Sequence, residues 1–286
     1  MRVRVWATGV AAAGALLGWT GAASAQSWRP YSTFRQLHGE TKLDAQLEFA
    51  AGLLKVVPGR DGELYRMHLS YDADRFVPLS HYAAPAATVR LGVESAGRAG
   101  LRVVSKNQLR QKAVVELSPR ADLALDLNLG AGEADLDLGG LRIASVRLET
   151  GASRASVRFS APNRTRCHSA IFAAGAADLA IYRLGNSRCE KVKVEGGVGK
   201  LTLDFGGVWT ATQTVELTLS MGELRLRLPK RAPVRITMDK FLSSFDSEGL
   251  VQRGGSWITR DFDPAEPHLD IALKCSVGAV RVEWVN

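Results

Sequence analysis

The segment VKVEGGVGKLTLDF (192–205) decides the fold. Apolar residues alternate with polar ones on both sides of a glycine-rich centre, which predicts two short β-strands with one buried face, joined at a tight turn. The same arrangement recurs in VELTLSMGELRLRLP (215–229) and in LDLNLGAGEADLDLGGL (125–141). One repeated strand–turn–strand unit therefore organises much of the chain.

The turns recur at a nearly constant interval. One equivalent position per turn gives intervals of 21, 22, 22, 23, 21 and 35 residues. The positions are Gly132, Ser153, Gly175, Gly197, Ser220, Phe241 and Ser276. Hairpins of a β-sandwich impose no constant period, whereas coils that stack on one another do. We therefore predict an all-β fold, a single-chain β-solenoid of about seven 21–23-residue coils that occupies residues 121–286.

The last interval is about 13 residues longer than one coil, which predicts an insertion at about 251–268. The turn signal Gly254-Gly255 predicts a small hairpin there that projects from the stack. Trp257 and Phe262 are expected on its second arm as a possible contact surface, because insertions on one face of a repeat protein are often binding sites. A cap whose aromatic side chains only cover the core fits this segment equally well.

The N-terminal part reads differently from the repeats. Residues 1–25 combine Arg2 and Arg4, a short apolar segment and Ala23-Ser24-Ala25, a pattern typical of a secretory signal peptide. Residues 26–42 are predicted as a lead-in segment. Residues 43–120 are predicted as a β-rich cap that begins the stack, with a strand at 101–105. Cleavage lowers the net charge from +8 to +6, and we expect an exported protein, periplasmic or extracellular, that spans no membrane after cleavage.

The cysteines supply a specific structural expectation. Cys167 and Cys189 are 22 residues apart, which is one coil, and each follows an arginine. Equivalent positions on adjacent coils lie within the distance that a disulfide can bridge, and export allows oxidation. We therefore predict a Cys167–Cys189 disulfide. Cys275 continues an alternating apolar series, so we expect a buried free thiol there.

The search for chemistry yields few candidates. The five histidines do not form a zinc-ligand spacing with each other or with cysteines, so we expect no metal and no cofactor. The basic residues lack the interleaved aromatics that nucleic-acid binding uses, so we expect no nucleic-acid partner. The densest carboxylates are Asp126, Glu133, Asp135 and Asp137, with Ser156, Arg158 and Asp178 expected beside them on the following coils. A polysaccharide hydrolase or lyase would need carboxylates clustered on one face, and such a β-helix enzyme stays the alternative to a non-catalytic module.

The segment LDAQLEFAAGLLKVVPG (43–59), together with the three segments quoted above, resembles the toast-rack domain. That domain is the β-solenoid of the Lia-type cell-wall-active-antibiotic response proteins and of related adhesins. The resemblance covers residues 43–284 and implies an exported or envelope-anchored, non-catalytic module for sensing, stress response or adhesion. The implied partner is an envelope protein or glycan. Members of the sensing systems carry transmembrane helices before the solenoid, where this chain has its predicted signal peptide.

Overall fold

The computed structural model describes residues 27–96, 110–264 and 267–285, with the backbone alone for Ser95 and residues 240–242. The predicted signal peptide and the predicted strand at 101–105 lie outside these residues. The all-β class is confirmed, because fifteen strands of the described chain join one sheet. The strands are β1 (Trp28–Gln36), β2 (Lys42–Pro58), β3 (Glu63–Asp72), β4 (Phe76–Ala83), β5 (Thr88–Ser95), β6 (Lys112–Leu117), β7 (Asp122–Asp137), β8 (Arg142–Arg158), β9 (Cys167–Tyr182), β10 (Cys189–Asp204), β11 (Gln213–Pro229), β12 (Val234–Phe245), β13 (Val251–Arg253), β14 (Ser256–Ile258) and β15 (Leu269–Val285).

Each coil is one long strand that bends at its glycine-rich centre. In β11 the first arm buries Val215 and Leu217, the second arm buries Leu224 and Leu226, and the polar residues between them face outward. The buried residues of both arms join one hydrophobic core. The alternation seen in the sequence therefore puts the core between the two arms and leaves two outer surfaces on opposite sides of it.

Eight strands stack in parallel in the order β2, β7, β8, β9, β10, β11, β15, β12. The expectation that the coils stack in chain order is wrong at the C-terminal end, where β15 lies between β11 and β12. β12 is the shortest coil of the stack, and its bend carries Phe241-Leu242-Ser243 where other coils carry glycine. A bend without glycine is accommodated at the end of the stack, because it has one parallel neighbour there instead of two.

The bends contain two columns of small residues, and the single column expected from the sequence mixed them. The strand register places one residue from each of the strands β7 to β11 and β15 in the first column: Gly132, Ser153, Ala177, Gly199, Gly222 and Gly278. Gly175, Gly197, Ser220 and Ser276 belong to the neighbouring column, together with Gly130 and Gly151. The error arises between β8 and β9, where the step between paired residues is 24 residues, as from Thr150 to Ala174.

The N-terminal region continues both arms of the stack. β2 is itself a complete coil, paired with β7 along its length. Its first arm also pairs with β5, which pairs with β4. Its second arm pairs with β6, followed by β3 and the outermost strand β1. The first coil is thus covered by two short layers of strands, and the expected lead-in segment supplies an edge strand.

The inserted hairpin exists but lies within the sheet. β13 and β14 pair with each other around Gly254-Gly255, and β14 pairs antiparallel with β12. The hairpin therefore covers the first part of the outer edge of the last coil, Arg235–Thr237, and terminal repeats usually need such a cover. The expectation that it projects from the stack is wrong, since the edge of β12 offers free backbone hydrogen-bonding groups.

Candidate functional site

Three successive loops return the chain from the second arm of one coil to the first arm of the next. These return loops are residues 159–166, 183–188 and 205–212, between β8, β9, β10 and β11. They lie side by side because the coils they connect are stacked in register. Backbone hydrogen bonds join them, from Asn163 N–H to the Asn186 carbonyl at 2.8 Å and from Gly185 N–H to the Gly206 carbonyl at 3.1 Å.

Two buried asparagine side chains fix the return loops further. The Asn163 amide donates to the carbonyls of Ile143 (2.7 Å) and Ser187 (3.0 Å), and its oxygen accepts from Ile143 N–H. The Asn186 amide donates to the Phe159 carbonyl at 2.9 Å, and its oxygen accepts from Val208 N–H. The middle loop, 183–188, is therefore tied to the loops on both sides of it, which makes the loop surface a rigid platform.

Two arginines on this platform have left-handed backbone conformations. Arg183 (φ +59°) and Arg188 (φ +53°) flank the 3-10 turn Leu184–Ser187, whose residues are buried. Such a conformation costs a non-glycine residue roughly 1–2 kcal/mol. The surrounding hydrogen bonds hold it in place and leave both arginine side chains exposed.

The predicted disulfide links the same two coils. Cys167 and Cys189 are directly paired in the β9–β10 register, with Cα atoms 4.2 Å apart, and their sulfurs are bonded. Cys275 is a buried free thiol, as expected, and burial raises its pKa. A structural disulfide is typical of proteins that fold in an oxidising compartment, which suggests that the chain is exported.

The return loops enclose a basic pocket of about 440 Å³ beside the disulfide, which we call the return-loop pocket. Its wall includes Arg164, Arg166, Arg188, Trp209 and Gln213. Arg166 pairs with Glu190. Arg164 and Arg188 form no ion pair with any residue in the described ranges. Two cationic side chains are therefore presented to solvent without a carboxylate partner.

Trp209 is held rigidly in this pocket. Its indole N–H donates to the Phe205 carbonyl at 2.8 Å, and the ring packs against Gly185. A Cβ on Gly185 would lie 2.7 Å from Trp209 Nε1, so this close contact depends on glycine. The indole is half-buried and retains exposed surface that faces the pocket.

Gln213 contributes an unsatisfied acceptor to the pocket. Its side chain is 3% exposed, and its amide N–H₂ donates to the Cys189 carbonyl at 2.8 Å. Its oxygen Oε1 is buried and has no hydrogen-bond partner in the described chain. Buried polar atoms are rarely left unsatisfied, but this oxygen is covered by its own chain, so a ligand reaches it only if neighbouring side chains move.

A second depression of about 640 Å³ lies on the other side of Trp209. Lys230, Arg231, Pro229 and Pro233 line it, and Trp209 lines both depressions. Across the described residues Arg231 has no ion-pair partner. Residues 159–166, 183–188 and 205–212 together contain four arginines and no aspartate or glutamate. The loop edge is therefore a positively charged surface with an aromatic ring at its centre.

The outer surface of the second arm is different, since its charges neutralise one another. Arg227 pairs with Asp204 at 2.9 Å, and Arg225 pairs with Glu283 at 3.1 Å and with Glu223 at 3.2 Å. Lys200 and Arg281 also approach Glu223, at 3.5 and 3.6 Å. This ion-pair network spans β10, β11 and β15 and leaves little net charge for a ligand.

The aromatic residues expected as a contact surface pack on their own chain. Trp257 is half-buried, and its ring lies 5.5 Å from that of Phe245 in an edge-to-face contact. Phe262 follows β14 and does not lie within it, and its ring is 5.2 Å from that of His268. Trp257 thus packs against the core, as expected if the segment is a cap, and Phe262 remains partly accessible.

The carboxylates considered for catalysis do not converge. Asp126 lies on the outer surface of the first arm, whereas Glu133, Asp135 and Asp137 lie on the second arm. Asp178 pairs in register with Arg154, two residues away from the predicted neighbour Ser156. In the described part of the chain, no three His, Cys, Asp or Glu residues are grouped as metal ligands would be.

Burial affects one carboxyl group on the first arm. Burial and the nearby Glu149, Asp44 and Glu48 raise the pKa of Asp126, and Arg147 opposes the shift. Acidic neighbours alone do not make a site, and Arg147, the cross-strand neighbour of Asp126, is an exposed surface residue that pairs with Glu149 at 3.2 Å. The geometry therefore lends no support to the polysaccharide-cleaving alternative.

Sequence reasoning missed the return-loop pocket. Arg164, Arg188 and Trp209 are separated by more than 20 residues at each step, and no motif connects them. The repeat itself carried the signal, because residues about one coil apart become neighbours in a stack. Aligning the loops as well as the turns would have placed Trp209 next to the arginines.

One solved structure of the same fold and one more distant structure are similar to this chain. A cell adhesion protein from Clostridium sporogenes ATCC 15579, described as putative, matches with a TM-score of 0.53 at 16% identity, covering 91% of this chain and 100% of its own. An adhesin from Bacteroides fragilis NCTC 9343, also described as putative, matches with a TM-score of 0.40 at 13% identity, covering 89% and 97%. No curated protein matches the chain. In the residues described, no helix is long and apolar enough to cross a membrane.

A family model described as the N-terminal domain of toast_rack, DUF2154, matches residues 24–182, more than half of the chain. These residues contain the N-terminal cap, the first coils and the return loop at 159–166. Two of the four segments that resembled the toast-rack domain in the sequence, 43–59 and 125–141, lie within this match. The chain belongs to the toast_rack N-terminal domain family.

Proposed function

We propose that the protein is an exported, non-catalytic β-solenoid module that binds a partner in the cell envelope, in adhesion or in the envelope stress response. The observation that carries this proposal is the return-loop pocket, with unpaired arginines and a fixed tryptophan on a rigid platform. Binding residues concentrate on loops that a rigid scaffold positions. The predicted signal peptide and the disulfide support export, and periplasmic or extracellular localisation is part of the proposal.

The chemistry of the pocket favours binding over catalysis. Arginine stays protonated at every physiological pH, so it attracts anions but does not exchange protons in acid–base catalysis. The pocket's carboxylate, Glu190, pairs with Arg166. The similar clostridial structure is described as a cell adhesion protein, which agrees with a binding role. Phe262, and Trp257 to the extent that it is exposed, are proposed as a secondary contact surface at the end of the stack.

Cosedimentation with isolated cell envelopes tests this function directly. The oxidised full-length exported chain is mixed with increasing amounts of envelope, and the fraction that sediments is measured. We expect saturable binding that competition with unlabelled protein abolishes. A chain that stays in the supernatant at every envelope concentration would refute the proposed function.

A further inference from the structure

We propose that the return-loop pocket and the depression beyond Trp209 form one cleft that binds an acidic polysaccharide, with carboxylate groups on the arginines and a sugar ring against the indole. This inference rests on the proposed function and names its ligand class. The observations that carry it are the unpaired cations and the aromatic ring between them.

The charges define the sign and the type of the ligand group. Arg164 and Arg188 lack carboxylate partners in the described ranges, and the guanidinium fork binds carboxylates in a bidentate manner. Arg166 and Arg188 lie at equivalent positions on adjacent coils, one residue before the paired cysteines. Adjacent parallel strands are about 4.8 Å apart. Because Arg166 is paired with Glu190, the free positive charge of this wall comes from Arg188 and Arg164.

Trp209 indicates a sugar polymer. Because Trp209 lines both depressions, a ligand that contacts the ring can extend to either side of it. Arg188 lies on one side and Arg231 on the other. A small anion would occupy one depression, whereas an extended chain occupies both. Aliphatic sugar C–H groups pack well on an indole, and the fixed orientation of this ring limits the entropy lost on binding.

Gln213 and two threonines make one wall of the pocket polar. The Gln213 Oε1 atom accepts but does not donate, and the nearby Thr210 and Thr212 carry hydroxyl groups along the same wall. A polyhydroxylated ligand both donates to and accepts from such a wall, whereas a fully ionised polyphosphate chain only accepts. A nucleic acid would require more than one stacking side chain along its path. The combination therefore favours an acidic glycan over other polyanions.

The test is isothermal titration of the oxidised full-length chain with oligogalacturonate as the acidic probe and with an uncharged galactan oligosaccharide as its neutral counterpart. We expect saturable binding of oligogalacturonate that weakens as salt increases, and no binding of the neutral sugar. The Arg164→Glu/Arg188→Glu variant should lose at least about tenfold in affinity, because two charge-assisted contacts become repulsive.

Two further variants keep the result interpretable. Arg29→Glu/Arg60→Glu makes the same change in net charge at exposed arginines of the N-terminal region, and it should bind like the wild type. Trp209→Ala should lose binding of oligogalacturonate while the disulfide stays formed, which is checked by alkylation of free thiols. Equal losses in the two double variants would overturn the proposal, since they would indicate general charge attraction.

The titration and the cosedimentation together test the ligand class and the envelope-binding function separately. Envelope cosedimentation without oligogalacturonate binding would overturn the ligand class and leave the envelope-binding function standing. Preferential binding of phosphatidylglycerol vesicles or of single-stranded DNA would overturn the ligand class as well. Failure of cosedimentation would instead remove the proposed function itself.

Discussion

Gly222 tests how closely the coils approach at their bends. It has a φ of +140°, and a Cβ built on it would lie 1.8 Å from the carbonyl oxygen of Gly199 on the adjacent coil. Real Cβ atoms essentially never come closer than 3.0 Å to such an atom. Gly222→Ala must therefore push the two bends apart by about 1.2 Å, in a sheet whose hydrogen bonds resist the movement.

The cost of this substitution has two parts. Forcing an extra methyl group into a packed interior costs about 1–3 kcal/mol. The unfavourable backbone conformation costs an alanine roughly 1–2 kcal/mol more. We therefore expect Gly222→Ala to lower the free energy of unfolding by about 2–5 kcal/mol. For a domain of this size that corresponds to a fall in Tm of roughly 5–20 °C.

The structure contains an internal precedent for this effect. Ser153 and Ala177 occupy the same column as Gly222 on β8 and β9, and the pairing of these strands is interrupted from Gly151 to Ser153. Between β10 and β11 only one residue, Gly197, is skipped at the bend. Pairing is lost where two side-chain-bearing residues of the column, Ser153 and Ala177, face each other, whereas each of them pairs normally with a glycine on its other side, Ser153 with Gly132 and Ala177 with Gly199.

The assay is urea denaturation followed by circular dichroism, with Gly62→Ala as the matched control. Gly62 has a φ of +92°, and nothing lies within 4 Å of a Cβ built there. That variant has the backbone penalty alone, about 1–2 kcal/mol. If Gly222→Ala lowered the free energy of unfolding by no more than Gly62→Ala, close contact between the bends would not be the reason that glycine is needed at position 222.

Three further predictions follow from the same structure. Cys167→Ala/Cys189→Ala should lower the free energy of unfolding by about 3 kcal/mol, because the unfolded chain is no longer constrained between residues 167 and 189. Thermal denaturation of the variant without reductant checks this prediction, and an unchanged Tm would contradict it. Burial alone would raise the pKa of Glu223, but its hydrogen bond to Arg225 and the charges of its basic neighbours lower it below the ordinary 4.5. The ionised carboxylate therefore stabilises the fold at pH values above 4.5, and Glu223→Gln should lower the free energy of unfolding by less than about 1 kcal/mol at pH 7. The difference in stability between wild type and variant should vanish as the pH falls through the lowered pKa. A difference that does not change with pH in urea titrations would refute the assignment. Asn163→Ala should destabilise by roughly 2–3 kcal/mol by removing hydrogen bonds between buried return loops, with hydrogen exchange increasing first in residues 183–188; uniform loss of protection would contradict this local effect.

The sequence predicts the features that depend on local periodicity. Alternation determines which residues of each arm face the core, as in Leu224 and Leu226, because a strand has only two faces. The constant period then predicts parallel stacking, and stacking brings Cys167 and Cys189 together. These inferences needed no information on which distant strands pair.

The order of the coils could not be obtained in this way. Every coil presents the same alternation of apolar residues, so β11 can pair equally well with β12 or with β15. The choice depends on the bend of β12, which lacks glycine, and on β14, which pairs with Arg235–Thr237 at its outer edge. Both effects are tertiary, and neither changes the local pattern.

The candidate site could not be predicted from the sequence for a different reason. Loops have no periodic pattern, and a single Trp209 or Arg188 in a loop carries no signal by itself. Their proximity results from the register of the strands on either side. Functional residues of a stacked repeat protein are therefore better sought among loop positions one coil apart than in contiguous motifs.

Engineered cysteine pairs test the stacking register that creates both the cleft and the ion-pair network. Glu216 on β11 pairs directly with Ala272 on β15, which in turn pairs with Thr237 on β12. In a Cys275→Ala background, Glu216→Cys/Ala272→Cys should form a disulfide under mild oxidation. Glu216→Cys/Thr237→Cys should not, because one strand separates these residues. Cross-linking of 216 to 237 without cross-linking of 216 to 272 would contradict the account.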